Sequence, residues 1–192
     1  MKRSNTMATK TMTLLALLTA LVAVLQGLAV YLKVVFGIFA PSLVLIPIVI
    51  GTATCGKKAG AWLGFVFGLS VLISGDAAPF LGVNGIGTVL TVLIKGIGCG
   101  FVSGLVYEIV SPKSETLAVI LAAIICPLVN TGIFLGGCFI FFMDLIREWA
   151  GGSNIGQYMI VSLVGLNFVF ELFLNIVLSP VIVRLLNIKK KM

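Results

Sequence analysis

The sequence is poor in charge and has no histidine. Only 10% of its 192 residues are charged and 60% are hydrophobic, which gives a mean hydropathy of +1.23. Ordinary soluble domains are about 25% charged, and a soluble fold cannot bury this much apolar surface. At about 20 apolar residues per bilayer crossing, the chain has room for about six helices with short connections. The sequence therefore predicts an all-α integral membrane protein.

Other absences exclude classes of function. Histidine is the commonest metal ligand and general base, and none is present. Walker A, HExxH and GxSxG motifs are also missing, so the chain does not hydrolyse ATP by itself. The cysteines show no CxxC spacing and predict neither a zinc site nor a disulfide framework; they are Cys55, Cys99, Cys126 and Cys138. We expect no catalytic residue, no metal and no cofactor.

Charged and turn residues divide the chain into six apolar segments. We predict transmembrane helices at about 11–32, 38–54, 58–74, 87–109, 116–142 and 157–186, in a single membrane domain over residues 1–192. The first segment is long enough to span and has no persuasive cleavage site, so it is interpreted as a helix and not as a signal peptide. The two longest connections, 75–86 and 143–156, fall on the same side of the membrane.

The basic residues predict the orientation of the chain. The net charge is +7, but these residues lie at segment ends and form no patch with aromatic residues, so no nucleic-acid partner is expected. Those on one side of the membrane are Lys2, Arg3, Lys10, Lys57, Lys58, Lys113, Arg184, Lys189, Lys190 and Lys191. The other side has only Lys33 and Arg147. Because cytoplasmic loops are enriched in Lys and Arg, both termini are predicted to be cytoplasmic.

A few strongly polar residues lie inside the predicted spans. They are Lys95, Asn130, Asn167, Glu171 and Asn175, and the last three are spaced to share one helical face. At about 1.5 Å per residue, the first four lie between about 12 and 21 Å from the outer helix ends. Such groups are costly in lipid unless they meet a partner or water. We predict that they line a substrate pocket open to the outside, whose lysine suggests an anionic or strongly polar ligand.

Further residues are candidates for this pocket. Thr91 shares one side of the fourth segment with Thr88 and Lys95. The outer loops and their borders supply Asn84, Trp149, Asn154 and Tyr158. A structural interpretation stays open, in which Lys95 and Glu171 neutralise each other as a buried pair and the asparagines only hydrogen-bond between helices.

Small residues recur every four positions in three segments. The stripes are Gly60, Gly64 and Gly68; Gly96, Gly100 and Gly104; and Ala16 and Ala20. Such spacing lets helix backbones approach closely in lipid. For the glycines, packing of the bundle is the favoured interpretation.

The whole chain resembles the substrate-binding (S) component of energy-coupling factor (ECF) vitamin transporters. The segment PSLVLIPIVIGTATCGKKAGAWLGFVFGLSVLI is similar to the family's apolar helix, short glycine and lysine turn, and glycine-rich helix. The first helix, with Ala16 and Ala20 in LLALLTALVAV, matches the family's AxxxA pattern. The resemblance implies that these alanines dock on a transmembrane T component, which works with two ATP-binding cassette ATPases. It also implies a multi-pass protein of the bacterial plasma membrane that imports a water-soluble vitamin.

Two segments of the sequence indicate the substrate. LNFVFELFLN and CPLVNTGIFLGG look most like the branch that includes pantothenate carriers, and pantothenate is an anionic, hydroxylated amide that suits Lys95 and the asparagines. Riboflavin or another vitamin stays open as the substrate. Two other classes stay open as well: a self-sufficient channel or secondary transporter, and a membrane enzyme, although no reactive cluster supports the enzyme.

Overall fold

The computed structural model describes residues 2–36 and 43–191 of the chain. Almost all of these residues are helical, and no β-strand occurs among them. The elements are α1 (Lys2–Phe36), α2 (Leu45–Cys55), α3 (Lys57–Ile73), α4 (Ala78–Leu81), α5 (Gly85–Val110), α6 (Glu115–Phe141), α7 (Met143–Ala150), α8 (Ile155–Gln157), a π-helix (Tyr158–Val164) and α9 (Gly165–Lys191).

Within residues 2–36 and 43–191, four helical stretches are long and apolar enough to cross a membrane. They are Thr9–Val35, Gly85–Val110, Glu115–Phe141 and Asn167–Leu186. Helix α3 has 17 residues and lies at the lower limit of about 17 for a crossing. Helix α2 has 11 residues, and the start of its predicted span lies outside the described residues. The all-α membrane protein is confirmed, whereas the count of six spans and the cytoplasmic termini stay predictions.

The short helix α2 forms the centre of the bundle. It packs against α1, α3, α5, α6 and α9, and Leu45, Ile48 and Val49 are almost completely buried. The apolar core around it includes Leu63 of α3 and Val119 of α6. Because α2 is surrounded by other helices, it can be apolar on all its faces without reaching lipid.

Helices α3 and α5 are packed backbone to backbone through their glycine stripes. A Cβ atom added at Gly64 would collide with the backbone carbonyl of Gly96, and one added at Gly60 would lie 2.5 Å from the carbonyl oxygen of Gly100. No side chain larger than hydrogen fits at these crossings without moving a helix. The stripes therefore pack the bundle, as the four-residue spacing predicts.

The regions predicted as outer loops contain more helix than expected. Helix α4 occupies part of the 75–86 connection, and α7 and α8 occupy most of the 143–156 connection. These short helices satisfy backbone polar groups that an irregular loop at the membrane surface would leave without partners. Side chains also cap the helices: Asn84 accepts a hydrogen bond from the Gly87 N–H at 2.9 Å and Asn154 from the Gln157 N–H at 3.1 Å.

The predicted last helix, 157–186, is interrupted. Its first turns are π-helical, and Gly165 follows with φ of 27° and ψ of −128°, a conformation that residues with a Cβ rarely adopt. The sequence did not predict this break, because the apolar residues continue on both sides of it. Their pattern shows which residues are apolar but not how the backbone is wound. Regular α-helix begins at Gly165, just before two of the predicted site residues.

Candidate functional site

A partly enclosed cavity of about 140 Å³ lies between five helices and the turn after α3. Four of the predicted polar residues line it, namely Lys95 from α5, Asn130 from α6, and Asn167 and Glu171 from α9. The structure thus brings together groups that are separated by up to 76 positions in the chain. Glu171 lies one helical turn beyond Asn167, so both side chains point to the same side of α9.

A second cavity of about 180 Å³ adjoins the same four residues. Its other walls come from Thr131 and Phe134 of α6, Leu163 and Val164 of the π-helix, and Phe168 of α9. The four polar side chains therefore face two small spaces, one toward α1 and α3 and one toward the π-helix. An apolar cavity of about 150 Å³ can hold one benzene-sized group, so each space accommodates a group of about that size.

Lys95 has aromatic neighbours and, within the described part of the chain, no direct salt bridge. Its Nζ lies 5.5 Å from the ring centroid of Phe67 and 5.2 Å from that of Phe134, within the range of cation–π attraction. Among the described residues, no ion pair joins Lys95 to Glu171, although both line the cavity. The buried-pair interpretation from the sequence is therefore not the arrangement that the structure shows.

A different ion pair lies at the edge of the cavity. Lys33, near the end of α1, donates to the Asp76 carboxylate at 2.7 Å, and both residues are partly exposed to solvent. Gly75, with φ of 80°, precedes Asp76 and turns the chain after α3. The pair connects α1 to this turn at the mouth of the cavity.

Two buried side-chain oxygens near the site lack a protein partner among the described residues. Asn130 Oδ1 and Asn175 Oδ1 are both buried without a hydrogen bond, and the two residues are 8% and 1% exposed. Asn175 Nδ2 donates to the backbone oxygen of Glu171 at 2.8 Å, so only one side of its amide is satisfied. A buried acceptor without a donor is costly. Asn130, which lines the cavity, is therefore positioned to accept from a bound molecule.

The remaining predicted site residues lie away from the cavity. Thr91 is buried and packs against Gly137 of α6. Asn84 and Asn154 are helix caps. Trp149 of α7 packs edge-to-face on Phe80, with 5.6 Å between the ring centroids. Tyr158 packs against a small apolar cluster at this end of the bundle. These five residues surround the site's end of the bundle, but none lines either of the two polar cavities.

The cavity also contains residues that sequence reasoning did not select. Gln26 is 3% exposed and lines the cavity from α1, together with Lys33, Phe67 and Asp76. Gln26 carried an available signal, because it is a polar residue inside an apolar span. Lys33 and Asp76 did not, since charged residues at helix ends usually reflect topology. Among the described residues, no cluster of His, Cys, Asp or Glu could hold a metal ion.

The comparisons with known proteins bear on this arrangement. A family model described as "ECF transporter, substrate-specific component" matches residues 10–186. The chain belongs to this family. Neither a curated protein nor a solved structure matches the chain.

Membership in the ECF family defines the general role of the chain. It is a substrate-specific component of a membrane transport system, not an enzyme. Components of this kind act in vitamin uptake and associate with a T component and ATPases. In this S component, Ala16 and Ala20 are exposed on α1, and so is the neighbouring Leu17, which is 65% exposed. This face of α1 is thus accessible on the outside of the bundle.

Proposed function

We propose that this S component binds pantothenate in the cavity formed by Lys95, Asn130, Asn167 and Glu171. A T component and two ATP-binding cassette ATPases would then power its import across the bacterial plasma membrane. The observation that carries the proposal is the convergence of these four polar side chains from three helices on one cavity. In lipid, such groups occur where a polar substrate or an ion passes.

The chemistry of the cavity suits a polar, anionic ligand. Lys95 has no carboxylate partner among the described residues, so a ligand carboxylate would supply the missing counter-charge. Pantothenate carries one carboxylate, an amide and hydroxyl groups. The amides of Asn130 and Asn167 both donate and accept hydrogen bonds, which matches those groups.

The size of the site favours a slender ligand. Two adjoining spaces of about 140 and 180 Å³ fit a short flexible chain that bends around the polar residues. The fused-ring system of riboflavin is wider than one benzene-sized space. Pantothenate, a ring-free amide chain with one compact, dimethylated and hydroxylated end, suits this shape better.

The proposed orientation makes the site accessible from outside. With both termini in the cytoplasm, the end of the bundle that carries Lys33, Asp76 and Asn84 faces outward. Lys95 is ten residues from Gly85, the first residue of α5, or about 15 Å along the helix. A solute would therefore enter past the Lys33–Asp76 pair and bind in the outer half of the bundle.

Binding to the purified protein tests the proposal. Isothermal titration with pantothenate should give saturable binding by the parent chain, and Lys95→Ala and Asn130→Ala should each weaken it by about 10-fold or more, because each removes a buried polar contact. Lys113→Ala is the matched control, since Lys113 is exposed and lines neither cavity. Parent-like affinity in correctly folded Lys95→Ala and Asn130→Ala proteins would place the binding site elsewhere.

Reconstitution separates the proposed carrier from the other transport class. In liposomes, uptake should require the T component, both ATPases and ATP. Uptake by this chain alone, driven by an ion gradient, would instead make it a secondary transporter. Mass spectrometry of the solute that copurifies with the protein would distinguish pantothenate from riboflavin or another vitamin.

A further inference from the structure

We infer that the cavity selects a bipolar ligand, with an anionic group at Lys95 and hydrogen-bond donors at Glu171 and Asn130. The donor can be a hydroxyl, an amide N–H or an ammonium group. The inference rests on the proposed function, because it takes the cavity to be the substrate site. It goes beyond that function by assigning an orientation to the ligand and a specificity-determining role to Glu171.

The first observation is the charge pattern around the cavity. Four charged side chains line it. Lys33 and Asp76 form a salt bridge at 2.7 Å. Lys95 and Glu171 face the same space, and neither makes a direct salt bridge among the described residues, although Lys95 interacts electrostatically with both Asp76 and Glu171. No direct ion pair occupies either group, so both can contact a ligand.

The second observation concerns the surroundings of Lys95. Phe67 and Phe134 hold its ammonium group by their ring faces. A ring face attracts a cation but accepts no conventional hydrogen bond, so the donors of Lys95 Nζ stay available. An anionic group in the cavity would use those donors and gain the charge-assisted bonds that are the stronger kind.

The third observation is the supply of acceptors among the other residues that line the cavity. An ionised Glu171 carboxylate accepts hydrogen bonds and donates none, and Asn130 Oδ1 is a buried acceptor without a protein donor. A ligand end that meets these two residues must donate. A second anionic group at that end would be repelled by Glu171, because like charges in a poorly solvated space cost more than in water.

Three related probes separate the two ends of the ligand. Pantothenate has a carboxylate at one end and a hydroxylated group at the other. Panthenol replaces the carboxylate with an alcohol, and 4′-phosphopantothenate replaces a hydroxyl at the far end with phosphate. The parent protein should bind pantothenate at least about 10-fold more tightly than either analogue, measured by isothermal titration.

Two variants should each remove one preference. Lys95→Met should bind pantothenate and panthenol with similar affinity, since the group that distinguishes them is gone. Glu171→Gln should weaken pantothenate binding. It should also lower, by about 10-fold, the ratio of the Kd for 4′-phosphopantothenate to the Kd for pantothenate. Lys113→Met and Glu148→Gln, which change the same residue types at exposed positions outside the site, should keep the parent preferences.

The outcomes distinguish this inference from the proposed function. Suppose the parent binds panthenol as tightly as pantothenate, or prefers a neutral or cationic vitamin. If Lys95→Met and Glu171→Gln weaken that binding, the cavity is the substrate site but the bipolar assignment is wrong. If both variants bind the parent's solute with unchanged affinity, the site itself is wrong. An unchanged preference of Glu171→Gln for pantothenate over 4′-phosphopantothenate would remove Glu171 from the assignment.

Discussion

At the residue scale, the absence of a side chain matters as much as its presence. Gly64 lies so close to the Gly96 carbonyl that a Cβ atom has no room, whereas a Cβ at Gly136 would meet nothing within 4 Å. We predict that Gly64→Ala lowers the free energy of unfolding in detergent by about 1–3 kcal/mol, because the helices must separate. Thermal or denaturant unfolding of the purified protein measures the effect.

Gly136→Ala is the matched control for that prediction. It adds the same methyl group to a helical glycine that faces open space, so its stability should be unchanged or raised by up to about 1 kcal/mol through the better helix propensity of alanine. Equal stability of the two variants would contradict the close α3–α5 contact. Because Gly96 directly follows Lys95, we expect the α3–α5 glycine contact to hold Lys95 in place at the cavity.

At the scale of an element, the break before α9 positions one wall of the site. Gly165 has φ of 27°, and Asn167 and Glu171 follow within two turns. We predict that Gly165→Ala reduces solute binding by about 10-fold, since an alanine there costs about 1–2 kcal/mol in backbone conformation and favours rewinding of the helix. Isothermal titration of the variant checks this.

The loss of binding in Gly165→Ala should come from the changed backbone conformation and not from a steric clash of the new methyl group. A Cβ at Gly165 meets nothing within 4 Å, and the same holds for Gly132 in the middle of α6. Gly132→Ala should therefore bind solute like the parent. If Gly165→Ala also binds like the parent, the π-helical segment does not set the position of Asn167 and Glu171.

At the scale of the whole molecule, the prediction concerns assembly. Ala16 and Ala20 are exposed on α1, on a helix whose cavity-lining residues lie further along the chain at Gln26 and Lys33. We predict that Ala16→Arg together with Ala20→Arg abolishes uptake by the reconstituted complex while leaving solute binding by the free subunit unchanged. Large charged side chains would prevent the close approach of another helix.

A second pair of small residues provides the control for assembly. Gly132 and Gly136 have the same four-residue spacing and are exposed on α6. Arginines at these two positions place equal charge in a span on another face of the bundle, so this variant measures the cost of charge in lipid alone. Its uptake should fall less than that of the Ala16→Arg, Ala20→Arg variant. Equal loss of uptake in the two double-arginine variants would indicate a general effect on membrane insertion. Unchanged uptake by the Ala16→Arg, Ala20→Arg variant would show that α1 is not part of the docking surface.

Sequence reasoning predicted part of the fold because hydrophobicity constrains a membrane chain strongly. Apolar runs indicated the long helices α1, α5 and α6, and the glycine spacing indicated helix packing. It did not predict the short helices α4 and α7. The four residues of α4 are too few to show a periodicity. The charged residues of α7 indicated a connection between spans, although its residue types favour a helix. Nor did periodicity detect the π-helical turn, because one extra residue per turn hardly changes an all-apolar pattern.

The sequence by itself determined that this is an all-α membrane protein of the ECF substrate-specific family, and it singled out Lys95 and Glu171 as polar groups in apolar spans. The physical reason is that lipid excludes charge, so each exception is visible without a structure. Only the tertiary structure decided which of these groups share a cavity and that Lys95 and Glu171 are not paired. It also decided that Gln26, Lys33 and Asp76 join them. Those facts depend on how far each helix is rotated and how closely the helices pack. Glycine contacts and backbone breaks determine both, and residue spacing alone does not.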